Sequence, residues 1–139
     1  MRMNRTHVSL AVFEFGDDLQ AVTKLLDIAP TDAWRVGDPV SDQPTMTRNH
    51  SRWTLASGCG LEAPVEDHLH ALLTILEERR ERIREVAQRY SVELQCAIYY
   101  EDDTAGIHLS EDVVRRVAAL GLAIDLDLYF VGSEDAAHH

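Results

Sequence analysis

The chain has 139 residues, 45% of them hydrophobic, and a formal charge of −11 at pH 7. That length suits one domain able to bury a core without disulfides or metal, and no apolar run approaches the roughly 20 residues of a membrane span. The acids gather towards one end: residues 1–90 carry 14 acids against 11 bases, and residues 91–139 carry 10 against 2. A field of that sign repels nucleic acid and anionic membrane, and it favours a basic partner or simply solubility.

Met1 to Thr6 is polar and lacks the apolar stretch of a secretion signal, so the chain reads as cytoplasmic. Cys59 falls in a glycine-flanked loop and Cys96 on the apolar side of a strand, and both read as free thiols. One domain is expected over residues 1–139, with 1–6 and 132–139 as flexible ends.

His7 to Phe15 is dense in Val, Leu and Phe, which predicts a strand apolar on both faces and central in its sheet. Asp17 is placed to open a helix with Gln20 completing a capping box, Leu19, Val22, Leu25 and Leu26 as its stripe, and Ala29-Pro30 as its end. Residues 30–49 read as a loop punctuated by Gly37-Asp38-Pro39 and Gln43-Pro44. Ser51 to Ser57 follows as a short strand carrying Trp53 and Leu55.

From Pro64 to Tyr90, Leu69, Leu72, Leu76, Ile83, Val86 and Tyr90 keep the spacing of one long helix, charged on most sides between Glu77 and Arg84. Val92 to Glu101 alternates as a strand, with Val92, Leu94, Cys96, Ile98 and Tyr100 on one face. A turn at Asp102 to Gly106 leads to a helix capped by Ser110 and stopped by Gly121, with Val113, Val114, Val117 and Ala118 inward. Last comes Leu122 to Val131. Its strict alternation puts Leu122, Ile124, Leu126, Leu128 and Phe130 on a buried face and Asp125, Asp127 and Tyr129 on an open one.

These elements predict an α+β two-layer sandwich, ferredoxin-like, with a mainly antiparallel four-stranded sheet and three helices on one face. Strand direction poses a difficulty. A helix between the second and third strands tends to make them parallel, so an extra extended segment is expected in the long loop or near Ile107.

Phe15-Gly16-Asp17-Asp18-Leu19, Leu25-Leu26-Asp27-Ile28-Ala29-Pro30-Thr31, Trp34-Arg35-Val36-Gly37-Asp38-Pro39, Ser51-Arg52-Trp53, Asp67-His68-Leu69, Leu120-Gly121-Leu122 and Ile124-Asp125-Leu126-Asp127-Leu128-Tyr129 occur in this order. In these segments, over nearly its whole length, the chain resembles the bacterial family called domain of unknown function 4279. The resemblance implies a compact stand-alone bacterial domain and brings no activity with it.

Candidate binding residues are Asp125, Asp127, Tyr99 and Tyr129 on the open sheet face, together with Trp34, Arg35, Asp38 and Trp53. Asp125 and Asp127 share a face, with Glu93 or Glu101 on a neighbouring strand as a third carboxylate. Hard cations need more clustered oxygens than this pair supplies, so no metal and no cofactor is expected. Aromatics beside Arg on loops suit binding, yet the packing alternative is favoured for the Trp34 turn: Trp34 against the core beside Trp53, Gly37 with positive φ, and Asp38 bonding local amides. Cys59 has His68 or His50 as a conceivable base, without an oxyanion-hole signature. His68 and His70, two apart on a helix, point in different directions.

Two function classes remain. One is a protein-binding module, immunity- or antitoxin-like, that offers an acidic sheet face to a basic protein and is itself a monomer or weak homodimer. The other is a small metal- or ligand-dependent enzyme or ligand-binding protein using Asp125, Asp127 and the Trp34 to Asp38 loop.

Overall fold

The computed structural model describes residues 4–40, 42–101 and 106–131. In chain order its elements are β1 (Arg5–Phe13), α1 (Ala21–Leu26), β2 (Asp32–Trp34), β3 (Pro39–Val40), β4 (Gln43–Thr47), β5 (Arg52–Ala56), α2 (Val65–Glu77), α3 (Arg80–Arg89), β6 (Ser91–Tyr100), α4 (Glu111–Ala119) and β7 (Ile124–Phe130). β1 already begins at Arg5, inside the stretch expected to be a loose end. The 102–105 turn and the 132–139 end lie outside the described residues.

The sheet corrects the expected topology. Among the described residues it has five strands, not four, in the order β2-β5-β1-β6-β7, and it is mixed: β1 pairs antiparallel with β5 and β6, β2 antiparallel with β5, and β6 parallel with β7. That order departs from a ferredoxin-like sheet. The difficulty of strand direction resolves without a pairing between β5 and β6. Both run opposite to β1, which lies between them, so α2 and α3 cross over the central strand and leave β5 and β6 parallel but apart. The long loop does hold extra extended segments, namely β2 at the sheet edge and the separate β3–β4 hairpin.

One face of the sheet is the core. Leu10, Val12, Trp53, Leu55, Leu94 and Cys96 point from it into Val22, Leu26, Leu69, Leu72, Leu76, Ile83, Val86, Val113 and Val117 of the helices. Trp53 is fully buried and donates its indole Nε1–H to Thr23 Oγ1 of α1 at 3.0 Å, which satisfies the one polar atom that burial would otherwise strand.

Among the described residues the helices number four, not three. The expected long helix breaks after Glu77, where Arg79 leaves helical geometry at φ −123°, ψ 34°. The run from Glu77 to Arg82 holds no apolar side chain to anchor it, while Leu76 and Ile83 on either side are both buried. A bend therefore lets α2 follow β1 and α3 turn towards α1 and β6. α1 is shorter than expected: Asp18 Oδ1 accepts from Gln20 N at 2.9 Å in a turn ahead of it, and Asp27 in the left-handed region (φ 56°) ends it before Ala29-Pro30.

α4 forms as its caps predict. Ser110 Oγ accepts from Val113 N at 3.2 Å, and Gly121 takes φ 73° beyond its end. Only Val113 and Val117 turn inward; Val114 and Ala118 are exposed. Arg116 clamps α4 to α2 by a two-pronged pair, Nε to Glu77 Oε2 and Nη2 to Glu77 Oε1, each 2.8 Å. That pair holds the Glu77 carboxyl below its usual range and raises the arginine.

β7 is the other departure. The alternation is as predicted, but Leu126, Leu128 and Phe130 are exposed rather than buried, because the strand is the outermost of the sheet. Only Leu122, just ahead of the strand, is buried, with Ile124 packed against the core. Among the described residues no helix is long and apolar enough to cross a membrane.

Candidate functional site

The registers define the uncovered face of the sheet. Successive rows across it are Arg5–Tyr99–Tyr129, His7–Ala97–Asp127, Ala56–Ser9–Gln95–Asp125, Asp32–Thr54–Ala11–Glu93 and Trp34–Arg52–Phe13. Ser9, Ala11 and Ala97 leave the centre shallow, and longer side chains stand around it. Arg52 Nη2 donates to Gln95 Oε1 from β5 to β6 across β1, and Ala11 beneath it has no exposure at all despite lying on the open face.

The two sides differ in charge. On the β6–β7 side stand Glu93, Asp125 and Asp127, with Tyr99 and Tyr129 stacked beside them, ring centroids 4.8 Å apart and planes 16° from parallel. Arg5 lies 5.5 Å from the Tyr99 ring, and His7 meets it edge-on at 6.0 Å. No ion pair neutralises Glu93, Asp125 or Asp127 among the described residues; Glu93 Oε1 only accepts from Gln95 Nε2 at 3.1 Å. Asp127 raises the carboxyl of Asp125 first of all, with burial and Glu93 acting in the same sense. The expected clustering of Asp125, Asp127, Tyr99 and Tyr129 is therefore what the sheet assembles. Even so, no set of three metal-ligating side chains occurs among the described residues.

On the β2–β5 side stand Trp34, Arg48 and Arg52. The Arg48 guanidinium lies 3.8 Å above the Trp34 ring, and Arg52 lies 5.7 Å from it and 5.8 Å from Phe13. Trp34 Nε1, Arg48 Nε and Arg52 Nε are all buried without an acceptor. Burial lowers the Arg52 guanidinium, Asp32 raises it, Arg48 lowers it further and Glu93 raises it. A cleft of about 400 Å³ opens here, lined among others by His7, Ser9, Asp32, Trp34, Arg52 and Thr54.

This corrects the packing expected of Trp34. Its ring is half-buried on the open face, on the side of the sheet opposite Trp53, because Trp34 pairs with Arg52 and so shares that residue's face. Trp53, wholly inside the core, is not available to a partner. The turn itself is as predicted: Asp38 Oδ2 accepts from Arg35 N at 2.8 Å, Asp38 N donates to Arg35 O at 3.1 Å, and Gly37 has φ 90°. Asp38 is thus occupied in holding the turn, with Arg35 Nε 3.6 Å from its Oδ1.

At the foot of the cleft, His68 of α2 engages a residue the sequence did not single out. Its Nδ1 lies 2.6 Å from Ser57 Oγ, which also accepts from Cys59 N at 3.2 Å, and both side chains are buried. Burial lowers the imidazole's pKa, partly offset by the carbonyls of Gly60 and Ala63. The bond ties the 57–61 loop to α2. Among the described residues Cys59 Sγ bonds the Asp67 carbonyl, at 3.8 Å, while His68 is engaged by Ser57 and His50 packs against Phe13, so neither histidine is placed to serve the thiol. His70, exposed, meets Arg116 instead, confirming that the two histidines diverge. Cys96, beneath the acidic rows, is pushed up to about 12 by burial and by Asp125 and Asp127, which makes it an inert thiol.

Sequence reasoning passed over Arg48, Arg52, Asp32 and the Ser57–His68 pair. Arg52 was within reach: if Trp53 and Leu55 face inward, period two sends Arg52 and Thr54 outward. Arg48 was not, since its place depends on the β3–β4 hairpin folding back on Trp34.

Fold and site together define a two-layer α+β domain in which, among the described residues, one sheet face is left open, acidic at one side and aromatic and basic at the other. The chain belongs to the family described as domain of unknown function (DUF4279), whose profile matches residues 4–131. No curated protein and no solved structure matches it.

Proposed function

We propose that the chain is a protein-binding module, immunity- or antitoxin-like, whose open sheet face receives a basic protein. One observation carries the reading: Glu93, Asp125 and Asp127 stand together without an ion-pair partner among the described residues, next to the Tyr99–Tyr129 stack, with Tyr129 exposed. Like charges held side by side raise the energy of the free protein, and an incoming cation relieves it. The two rings supply the apolar, desolvated contact that charge alone does not.

The test is capture of a partner from lysate of the native host. The wild-type chain retains a basic protein, and the Asp125→Lys/Asp127→Lys chain, with an unchanged melting temperature, does not. Equal capture by both removes the open face from the interface.

A second reading rests on the other side of the face. Three buried N–H donors around Trp34 lack acceptors, and each costs about 1–3 kcal/mol while it stays so. A small carboxylate or phosphate ligand in the adjoining cleft would offer oxygens to that cluster. Saturable thermal stabilisation by such an anion, lost in Arg52→Gln, would favour this reading over protein binding.

A further inference from the structure

The outer edge of the sheet carries its own pattern. Leu94 N–H bonds Ala123 O and Val131 N–H bonds Tyr100 O, both at 2.9 Å, and the β6–β7 register between them is unbroken. In a parallel ladder the residues that bond the neighbour alternate, so Ala123, Asp125, Asp127, Tyr129 and Val131 turn their backbone groups towards β6. Ile124, Leu126, Leu128 and Phe130 turn theirs outward. No strand pairs with that edge among the described residues. The residues with free backbone groups are therefore those whose apolar side chains lie on the helix side of the sheet and in water: Leu126 is 39% exposed, Leu128 53% and Phe130 54%. Together they form an apolar row along that edge, the kind of exposed patch that marks an interaction surface.

We infer that this edge pairs with the same edge of a second copy of the chain, antiparallel, about a twofold axis at Leu128. That register sets Leu128 against its own counterpart and Leu126 against Phe130 of the other copy. All three are then hydrogen-bonded pairs, because their backbone groups point outward in both copies. It also places Asp127 opposite Tyr129. An axis at Asp127 would instead oppose two carboxylates, so charge selects between the two registers. Isologous contacts need a surface that complements itself, and this strand meets that condition in sequence and phase.

The contact is short of the ~800 Å² per partner of a standard interface, and each copy carries −11. The dimer is consequently weak, and it strengthens as salt screens the acidic rows. This inference does not depend on the proposed function, which uses the opposite face of the strand. Pairing would join two acidic faces into one longer surface.

Sedimentation equilibrium from 10 μM to 1 mM chain, at 50 and 500 mM NaCl, tests association. Amide hydrogen exchange at the two ends of that concentration range tests the register. Expected are a monomer–dimer equilibrium shifted towards dimer by salt, and protection gained with concentration at the amides of Leu126, Leu128 and Phe130. The amides of Asp127 and Tyr129, already bonded to β6, stay protected throughout. Leu128→Lys, at an exposed position, folds with an unchanged melt and stays monomeric. A wild-type chain that is monomeric at 1 mM in both salts overturns the inference. So does a dimer that leaves those three amides unprotected, which would mean that another surface mediates it.

Discussion

Replacing each tryptophan in turn tests the assignment of the two sheet faces. Trp53 is fully buried and its Nε1 is bonded to Thr23, so Trp53→Ala removes the largest side chain of the core and leaves Thr23 Oγ1 without its donor. Burying a side chain of ~200 Å² at about 25 cal/mol per Å² gives roughly 5 kcal/mol. Measured losses for buried Trp or Phe to Ala, about 3–5 kcal/mol, agree with that figure. In a domain of this size the change lowers the melting temperature by about 10 °C or more. Trp34 is half-buried under Arg48, and truncating it forfeits a cation–π contact of about 0.5–1 kcal/mol and part of its buried area while opening no cavity in the core. Trp34→Ala is therefore expected to cost about 1 kcal/mol and to shift the melt by a few degrees. Urea denaturation with parallel thermal melts measures both. Equal losses from the two substitutions would refute the placement of the rings on opposite sides of the sheet.

Burial depresses the pKa of His68, so above the ordinary value of 6.5 the ring is neutral in both states and its contribution is fully present. As the pH falls below 6.5 the unfolded chain takes up the proton first, and stability declines until the folded pKa is passed. His68→Gln should flatten the fall in urea midpoint between pH 7.5 and 5.5, and an unchanged slope would show that the ring is not held neutral. Millimolar calcium, magnesium or manganese should leave the melting temperature unchanged, since too few oxygens converge at Asp125 and Asp127; a saturable rise lost in Asp125→Asn would contradict this. A thiol reagent at pH 8 should label one cysteine in the native protein, Cys59, and two after unfolding. Two equivalents in the native state would contradict the burial of Cys96.

Side-chain alternation made much of the fold legible. In β5 and β6 the inward residues Trp53, Leu55, Leu94, Cys96 and Ile98 are buried, and Ser110 and Gly121 bound α4 through local backbone chemistry that needs no tertiary context. The same alternation brought Asp125, Asp127, Tyr129 and Tyr99 to one face, because two neighbouring strands in register keep their odd residues together. Extent was harder to read than direction. Period two assigned Leu126, Leu128 and Phe130 to the helix side but carried no information on whether a helix reaches that far. Likewise the helical spacing from Leu69 to Val86 persists through the bend at Arg79, since hydrophobic period does not register a change of axis. β2 has three residues, too few to show a period, and without its pairing to β5 the side taken by Trp34 was undetermined. The Ser57–His68 bond joins a loop to a helix, and only the closed fold brings them within reach.

We propose that the acidic rows of the open sheet face form the docking surface. The most direct measurement is the association kinetics of the captured basic protein with the wild-type and Asp125→Lys/Asp127→Lys chains between 50 and 500 mM NaCl. Steering between opposite charges is screened beyond about 10 Å at 0.1 M ionic strength, so the wild-type on-rate should fall steeply with salt and the double variant should show no measurable binding. A wild-type on-rate indifferent to salt, or a double variant that binds at wild-type strength, would contradict it.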